Sequence, residues 1–189
     1  MRIISGSRKG CRLVSWEEEG IRPMRDFVRA ALFNILGELV VDARFLDLFC
    51  GTGSVGLEAL SRGAKECTFV DRSPAACAIT RRNLGKLGFL SQGQVLETDF
   101  LSGIDHFARR GRRFDLVFVG PPYGKGLAEE ALSRLGKGDI LGPEAIVVTE
   151  VYKKEALSQS YGLLSKIDTR SYGDNTLCFY RVSSVMPQK

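Results

Sequence analysis

The feature that most constrains this chain is Gly51-Thr-Gly-Ser-Val-Gly56, a G-x-G-x-x-G pattern set between the apolar run Arg44–Phe49 and the helical stretch Ser54–Arg62. Glycines at these spacings let a backbone turn tightly and approach a ligand closely. The N–H groups that open the following helix then face whatever binds there. A strand, this turn and a helix predict a nucleotide-type site on an α/β domain. On its own the pattern suits NAD as well as other adenosine-containing ligands.

Two acids narrow the ligand. Asp47 lies inside the run before the turn. A carboxylate there would repel a pyrophosphate, whereas S-adenosylmethionine carries a sulfonium and an ammonium and tolerates or gains from it. Asp71 ends the next apolar run, Cys67–Val70, where a carboxylate accepts hydrogen bonds from ribose hydroxyls. The bland alternative for Asp71 is a helix N-cap, but Ser73 before Pro74 suits that role better. Asp99 follows a third run, Gln94–Glu97, and is read as an acceptor for an adenine amino group, with Phe100 packed on the ring. An N-cap is the alternative there.

Further along, the runs Phe114–Val119 and Ala145–Thr149 alternate with helical stretches at Ser73–Leu87, Phe100–Arg109 and Gly126–Leu135. The central residues Leu116–Val119 and Ile146–Val148 are continuously apolar, as strands covered on both faces are. Alternation of this kind predicts an α/β fold with a parallel sheet. Leu163–Arg170 and Asn175–Val182 read as a closing hairpin around Tyr172-Gly173-Asp174. Met186–Lys189 reads as a tail.

The start of the chain has another character. Arg2–Gly6 and Gly10–Val14 read as a β-hairpin, Glu17–Gly20 as an acidic loop, and Met24–Leu36 as a helix with Pro23 at its start and Gly37 at its end. The apolar face expected of that helix is Phe27, Val28, Ala31, Leu32 and Ile35. Residues 1–23 are therefore set apart as an extension and 24–185 as the main domain. The chain of 189 residues carries a formal net charge of +5. Arg2, Arg8, Lys9, Arg12, Arg22, Arg25 and Arg29 cluster in this first stretch, which suits contact with a polyanion such as RNA. The alternative is a solvated basic face.

Composition removes other classes. The five cysteines are scattered, without C-x-x-C spacing, and there is one histidine, so no metal site is expected and reduced thiols are. No apolar run approaches the roughly 20 residues that span a bilayer, and no signal peptide is read, so a cytoplasmic protein without membrane contact is expected.

The last motif is Gly120-Pro121-Pro122-Tyr123, directly after Phe114–Val119. Two prolines fix their φ angles and stiffen the turn, and Tyr123 offers a flat face on which a base can stack. A rigid loop is the alternative for such a turn in isolation. Ligands of open parallel sheets bind beyond the carboxyl ends of the strands, where Gly51, Asp71, Asp99 and Pro121 are all expected.

Taken together these motifs resemble the bacterial RsmD family of 16S rRNA guanine-N2 methyltransferases. The likeness is carried by Met1–Gly6 with Lys9-Gly10, Ile21–Arg25, Val28–Leu36, Asp47–Gly53, Gly56–Gly63, Val70-Asp71, the Pro-Pro-Tyr turn and Tyr172–Asp174 with Phe179-Tyr180. It implies a class I, Rossmann-like methyltransferase with a mostly parallel seven-stranded sheet, helices on both faces and an N-terminal β-hairpin. It further implies S-adenosylmethionine as cofactor, held by Asp47, Phe49, Gly51, Gly53, Asp71, Asp99 and Phe100. Catalysis would fall to Gly120, Pro121, Pro122 and Tyr123. The implied partner is 16S rRNA or the small ribosomal subunit, met by a monomer.

One residue departs from the family. The turn there usually begins with Asp or Asn, whose side chain accepts a hydrogen bond from the target amino group; here it begins with Gly120. Only backbone carbonyls remain as acceptors. A slower enzyme, an enzyme with another group in the gap, or a catalytically silent relative that binds cofactor and RNA all stay open, retained activity being the favoured reading. An adenine-N6 methyltransferase uses a similar turn. An NAD(P) oxidoreductase fits the glycines but neither Asp47 nor the Pro-Pro-Tyr turn.

Overall fold

The computed structural model describes residues 1–15 and 24–183. These fall into two compact units, Met1–Asp99 and Phe100–Lys189. The acidic loop Glu17–Gly20, Arg22, the helix-start Pro23, the expected boundary at residues 23 and 24 and the tail Met186–Lys189 involve or adjoin positions outside the described residues.

In the first unit, β1 (Arg44–Leu48), β2 (Glu66–Asp71) and β3 (Gly93–Glu97) run parallel in the order β3-β2-β1. Phe45, Leu46, Leu48, Phe69 and Val70 are each at most 1% exposed, so β1 and β2 are covered on both faces, although the buried Asp47 and Thr68 interrupt their apolar runs. The crossovers are α2 (Ser54–Ser61), which starts directly after the glycine turn, and α3 (Pro74–Leu87). Ser73 caps α3 by accepting from the Ala76 N–H, and Pro74 fills the first helical position, as the sequence predicts.

Helix α1 (Asp26–Leu36) forms with Gly37 at its end, but its inward face is not the expected one. Val28, Arg29, Leu32, Phe33 and Leu36 are buried, while Phe27 is 53% and Ile35 40% exposed. Two overlapping stripes on this helix have helical spacing, and the packing partner selects between them: Phe33 stacks on Phe45 of β1. The expected hairpin is also reduced. A single antiparallel bridge joins Arg2 to Arg12, around a 3-10 turn at Gly6–Arg8. Between the two arms the Ile3 N–H donates to the Cys11 carbonyl at 3.0 Å, the Leu13 N–H to the Met1 carbonyl at 3.2 Å and the Gly10 N–H to the Ile3 carbonyl at 2.9 Å, while the Ile4 and Ser5 N–H groups donate to Glu58 and the Val14 N–H to Asn83.

The second unit holds α4 (Phe100–Arg109), β4 (Phe114–Val119), α5 (Leu127–Leu135), β5 (Leu141–Tyr152), β6 (Ser160–Tyr161), β7 (Leu164–Tyr172) and β8 (Asn175–Val182). Strand order is β4-β5-β8-β7-β6, with β4 and β5 parallel and the other pairs antiparallel. The α/β class is as expected. The described residues contain eight strands, not seven, the additional one being the two-residue β6 paired with β7. So short a strand lacks the apolar alternation by which strands are found.

Candidate cofactor cradle and base-stacking turn

The first unit builds a cradle at the end of β1. Phe49 has a left-handed φ of 64°, a costly conformation for an aromatic residue, and it swings the chain out of the strand. Gly51 follows at φ 54° and Gly53 at φ 75°. A side chain on Gly51 would meet nothing within 4 Å, so open space lies above the turn. A side chain on Gly56 would run into the Phe69 ring and the Cys67 sulfur, so this third glycine serves helix-on-strand packing.

Asp71, at the end of β2, holds the turn. Its Oδ2 accepts the Gly51 N–H at 2.9 Å and its Oδ1 the Ser73 N–H at 2.9 Å. An ionised carboxylate has about four acceptor sites, so each oxygen keeps capacity for a ligand hydroxyl. Asp47 sits deeper, 1% exposed, and its Oδ2 accepts the Gly56 N–H at 2.9 Å. Burial, together with the charge of Asp71, raises the Asp47 carboxyl to about 7, although the Gly56 hydrogen bond opposes this. Two acids beneath an open glycine turn, one of them buried, suit a cationic ligand and penalise a pyrophosphate. The donor set therefore fits S-adenosylmethionine better than NAD.

Asp99 and Phe100 lie one step further on. The Thr98 N–H donates to the Asp71 carbonyl, and the exposed Asp99 follows. Phe100 opens α4 as a buried residue.

Residues that escaped the sequence reading complete the cradle. Thr80 on α3 donates to the Gly51 carbonyl at 3.0 Å. Asn83, one turn later and fully buried, donates to the carbonyls of both Thr52 and Val14 at 3.1 Å and accepts the Val14 N–H at 2.7 Å. A buried Thr and Asn three apart on an apolar helix face are a signal that polar partners are waiting, but the partners are distant in sequence.

In the second unit, β4 leads into Gly120–Tyr123. The Val119 carbonyl accepts from the Thr149 hydroxyl at 2.9 Å, which steadies the strand end. Pro121 is buried, Pro122 is exposed and Tyr123 is 37% exposed. Glu155 accepts the N–H groups of both Gly124 and Tyr152 at 3.2 Å, and the Tyr152 ring lies 6.5 Å from that of Tyr123. A side chain on Gly120 would begin 2.7 Å from the Phe118 ring edge.

The basic cluster divides. Arg2, Arg8, Lys9, Arg12 and Arg25 are exposed, and Arg8 also donates to the Leu87 carbonyl at 2.7 Å. Arg29 is a correction: it is fully buried, 3.1 Å from Asp26 and 3.9 Å from the buried Glu58, and it donates to the Arg2 carbonyl at 2.6 Å. Its charge is spent inside the fold, because a buried cation must be paired.

A family model, conserved hypothetical protein 95, matches residues 1–181. The chain belongs to this family. The ribosomal RNA small subunit methyltransferase D of Escherichia coli is 37% identical over 150 residues, 79% of this chain and 74% of that one. The structure of the Escherichia coli protein yhhF superposes with a TM-score of 0.85 at 32% identity, covering 98% of this chain and 99% of that one. An RNA methyltransferase from Salinibacter ruber, in complex with S-adenosyl-L-homocysteine, shares the fold at 15% identity, with a TM-score of 0.68 over 89% of this chain and 98% of that one. The chain thus has the class I methyltransferase fold of its family. Among the described residues no helix is long and apolar enough to cross a membrane.

Proposed function

We propose that this family member transfers a methyl group from S-adenosylmethionine to the exocyclic N2 of a guanine in small-subunit rRNA, in the cytoplasm. The relatives' names supply the substrate class, and the cradle supplies the cofactor. The observation that carries the cofactor half is the pair of hydrogen bonds by which Asp71 ties Gly51 to the start of α3. When bound, S-adenosylmethionine supplies a methyl group already activated on a sulfonium. The chain's residues then have only to position and to stabilise charge. Asp71 accepts ribose hydroxyls with its remaining lone pairs, and Asp47 lends negative charge beneath the cationic ligand. The carbonyls of Gly120 and Pro121 accept from the target amino group and orient its lone pair, while Tyr123 stacks on the flipped base. Arg2, Arg8, Lys9, Arg12 and Arg25 contact phosphates, with Arg22 completing the set, and residues 1–23 act as the RNA-binding extension.

One observation favours a second reading. Phe118 fills the space at Gly120 in which a catalytic carboxylate or amide would start, so a protein that binds cofactor and RNA without methylating is the competing outcome. The deciding experiment incubates the protein and labelled S-adenosylmethionine with small ribosomal subunits from cells lacking it, then digests the rRNA to nucleosides. N2-methylguanosine is expected. N6-methyladenosine would move the target to adenine, and cofactor binding without incorporation would leave the binding-only reading.

A further inference from the structure

The Pro-Pro-Tyr turn is stiff on one side only. Pro121 and Pro122 have fixed φ angles, but Tyr123 is followed by Gly124 and Gly126, at φ 71° and 69°, where an added side chain would meet nothing within 4 Å. Glycines in open space leave the backbone many conformations. A single orientation of the peptide after Tyr123 therefore needs a tie from outside the turn.

Glu155 supplies such a tie. Its Oε1 accepts the Gly124 N–H and the Tyr152 N–H, each at 3.2 Å, while the Glu155 N–H donates to the Tyr152 carbonyl at 2.8 Å. The Gly124 N–H shares one rigid peptide plane with the Tyr123 carbonyl, so this bond sets the direction in which the chain leaves Tyr123. The same oxygen fixes the backbone of Tyr152, whose ring lies 6.5 Å from that of Tyr123, within the range of aromatic pairs. Residues 152–155 are anchored in turn. Tyr152 stands opposite Asn175 at the end of the β5–β8 ladder, and the Lys153 N–H donates to the Asp174 carbonyl at 2.8 Å. The Lys153 and Asp174 side chains also pair at 2.6 Å, but both are half-exposed, so the backbone bond holds more firmly than the ion pair. All these residues belong to the second unit.

We propose that Glu155 is a positioning residue for methyl transfer: it links the β7–β8 turn at Asp174 to the peptide after Tyr123 and so holds the Tyr123 ring for the target base. This role rests on the reading above in which Tyr123 stacks on that base. It also gives Tyr172-Gly173-Asp174 a part in the site, as the fixed point from which the tie is built.

The test compares Glu155→Ala, which removes the acceptor, with Glu155→Gln, which keeps one, in the full chain with labelled S-adenosylmethionine and small ribosomal subunits. Glu155→Ala should lower kcat about tenfold, as a small misplacement away from the reacting atoms does. It should bind S-adenosylmethionine as the parent does. Hydrogen exchange at Gly124 should quicken, while the melting temperature stays parental, because Gly124 is exposed and water can reach the freed N–H. Glu155→Gln should restore slow exchange and bring kcat to within about threefold of the parent, a neutral acceptor being the weaker one. Faster exchange at Gly124 with parental kcat overturns the positioning role. So does an equal kcat loss in both variants, or a loss that comes only with a lowered melting temperature. If the parent methylates and Glu155→Ala keeps its rate, this role alone is refuted; if the parent methylates nothing, the function reading falls and this role with it.

Discussion

The ring edge of Phe118 stands 2.7 Å from the point at which a side chain on Gly120 would begin. These two residues, at the end of one strand, are therefore a matched pair: the ring takes the room that the missing side chain leaves. Phe118 is only 4% exposed, so the ring has little freedom to retreat. Gly120→Asp alone is expected to overpack the strand end, costing about 1–3 kcal/mol in urea unfolding without a gain in methyl transfer. Gly120→Asp with Phe118→Leu should recover much of that stability and raise the rate at least tenfold, as a restored charge partner for the reacting amine does. A single Asp variant that is faster and as stable as the parent would show that the ring yields freely.

Asn83 joins the N-terminal segment to the glycine turn through its bonds to Val14 and Thr52. Asn83→Ala strands three buried or part-buried backbone groups, so a loss of about 2–4 kcal/mol is expected. Hydrogen exchange should quicken at Val14, and S-adenosylmethionine should bind several-fold more weakly. Faster exchange at Val14 with unchanged cofactor affinity would limit Asn83 to anchoring the segment.

Asp47 makes stability depend on pH. Its folded-state carboxyl lies at about 7, above its ordinary value of 3.8, because burial disfavours the charge. The unfolded chain therefore ionises first, and the contribution of this group is fully present below about pH 4 and lost as pH rises through 7. Asp47→Asn removes this term and keeps an acceptor for the Gly56 N–H. Between pH 5 and pH 8 the urea midpoint of the parent should fall more than that of the variant. Because a cationic ligand favours the ionised acid, the parent's cofactor affinity should rise over the same range, and in the Asn variant it should not. Parallel midpoint curves for the two proteins would contradict the assignment.

Glu58 accepts from the Ile4 and Ser5 N–H groups and from Arg62 at 2.7–2.9 Å, and it faces Arg29 at 3.9 Å with both side chains fully buried. Removing one member of a buried pair leaves the other uncompensated. Glu58→Ala is expected to cost about 3–5 kcal/mol, whereas Glu58→Ala with Arg29→Met should cost less than the single change. Chemical denaturation of the three proteins decides this; a double variant worse than the single would mean that Arg29 does not depend on Glu58.

Much of the molecule was legible because its signals are local. The alternation of apolar runs and helices, the Ser73-Pro74 helix start and the turn at Gly51–Gly53 each depend on residues within a few positions of one another, and Asp71, twenty residues beyond Gly51, is marked by its place at the end of a strand. Chain geometry and the need to satisfy helix ends then leave few choices, so sequence determined the α/β class, the glycine turn and the stiff Pro-Pro-Tyr turn. Tertiary structure decided what depends on partners remote in the chain. It buried Arg29 rather than Phe27, because Glu58 offered a charge there and two stripes of equal periodicity competed. It fastened the N-terminal segment to the domain, because Glu58 and Asn83, remote in the chain, accept the N–H groups of Ile4, Ser5 and Val14. At Gly120 the sequence shows only that a side chain is missing; the fold shows a ring in its place, since which atoms fill a gap is settled by packing and not by spacing.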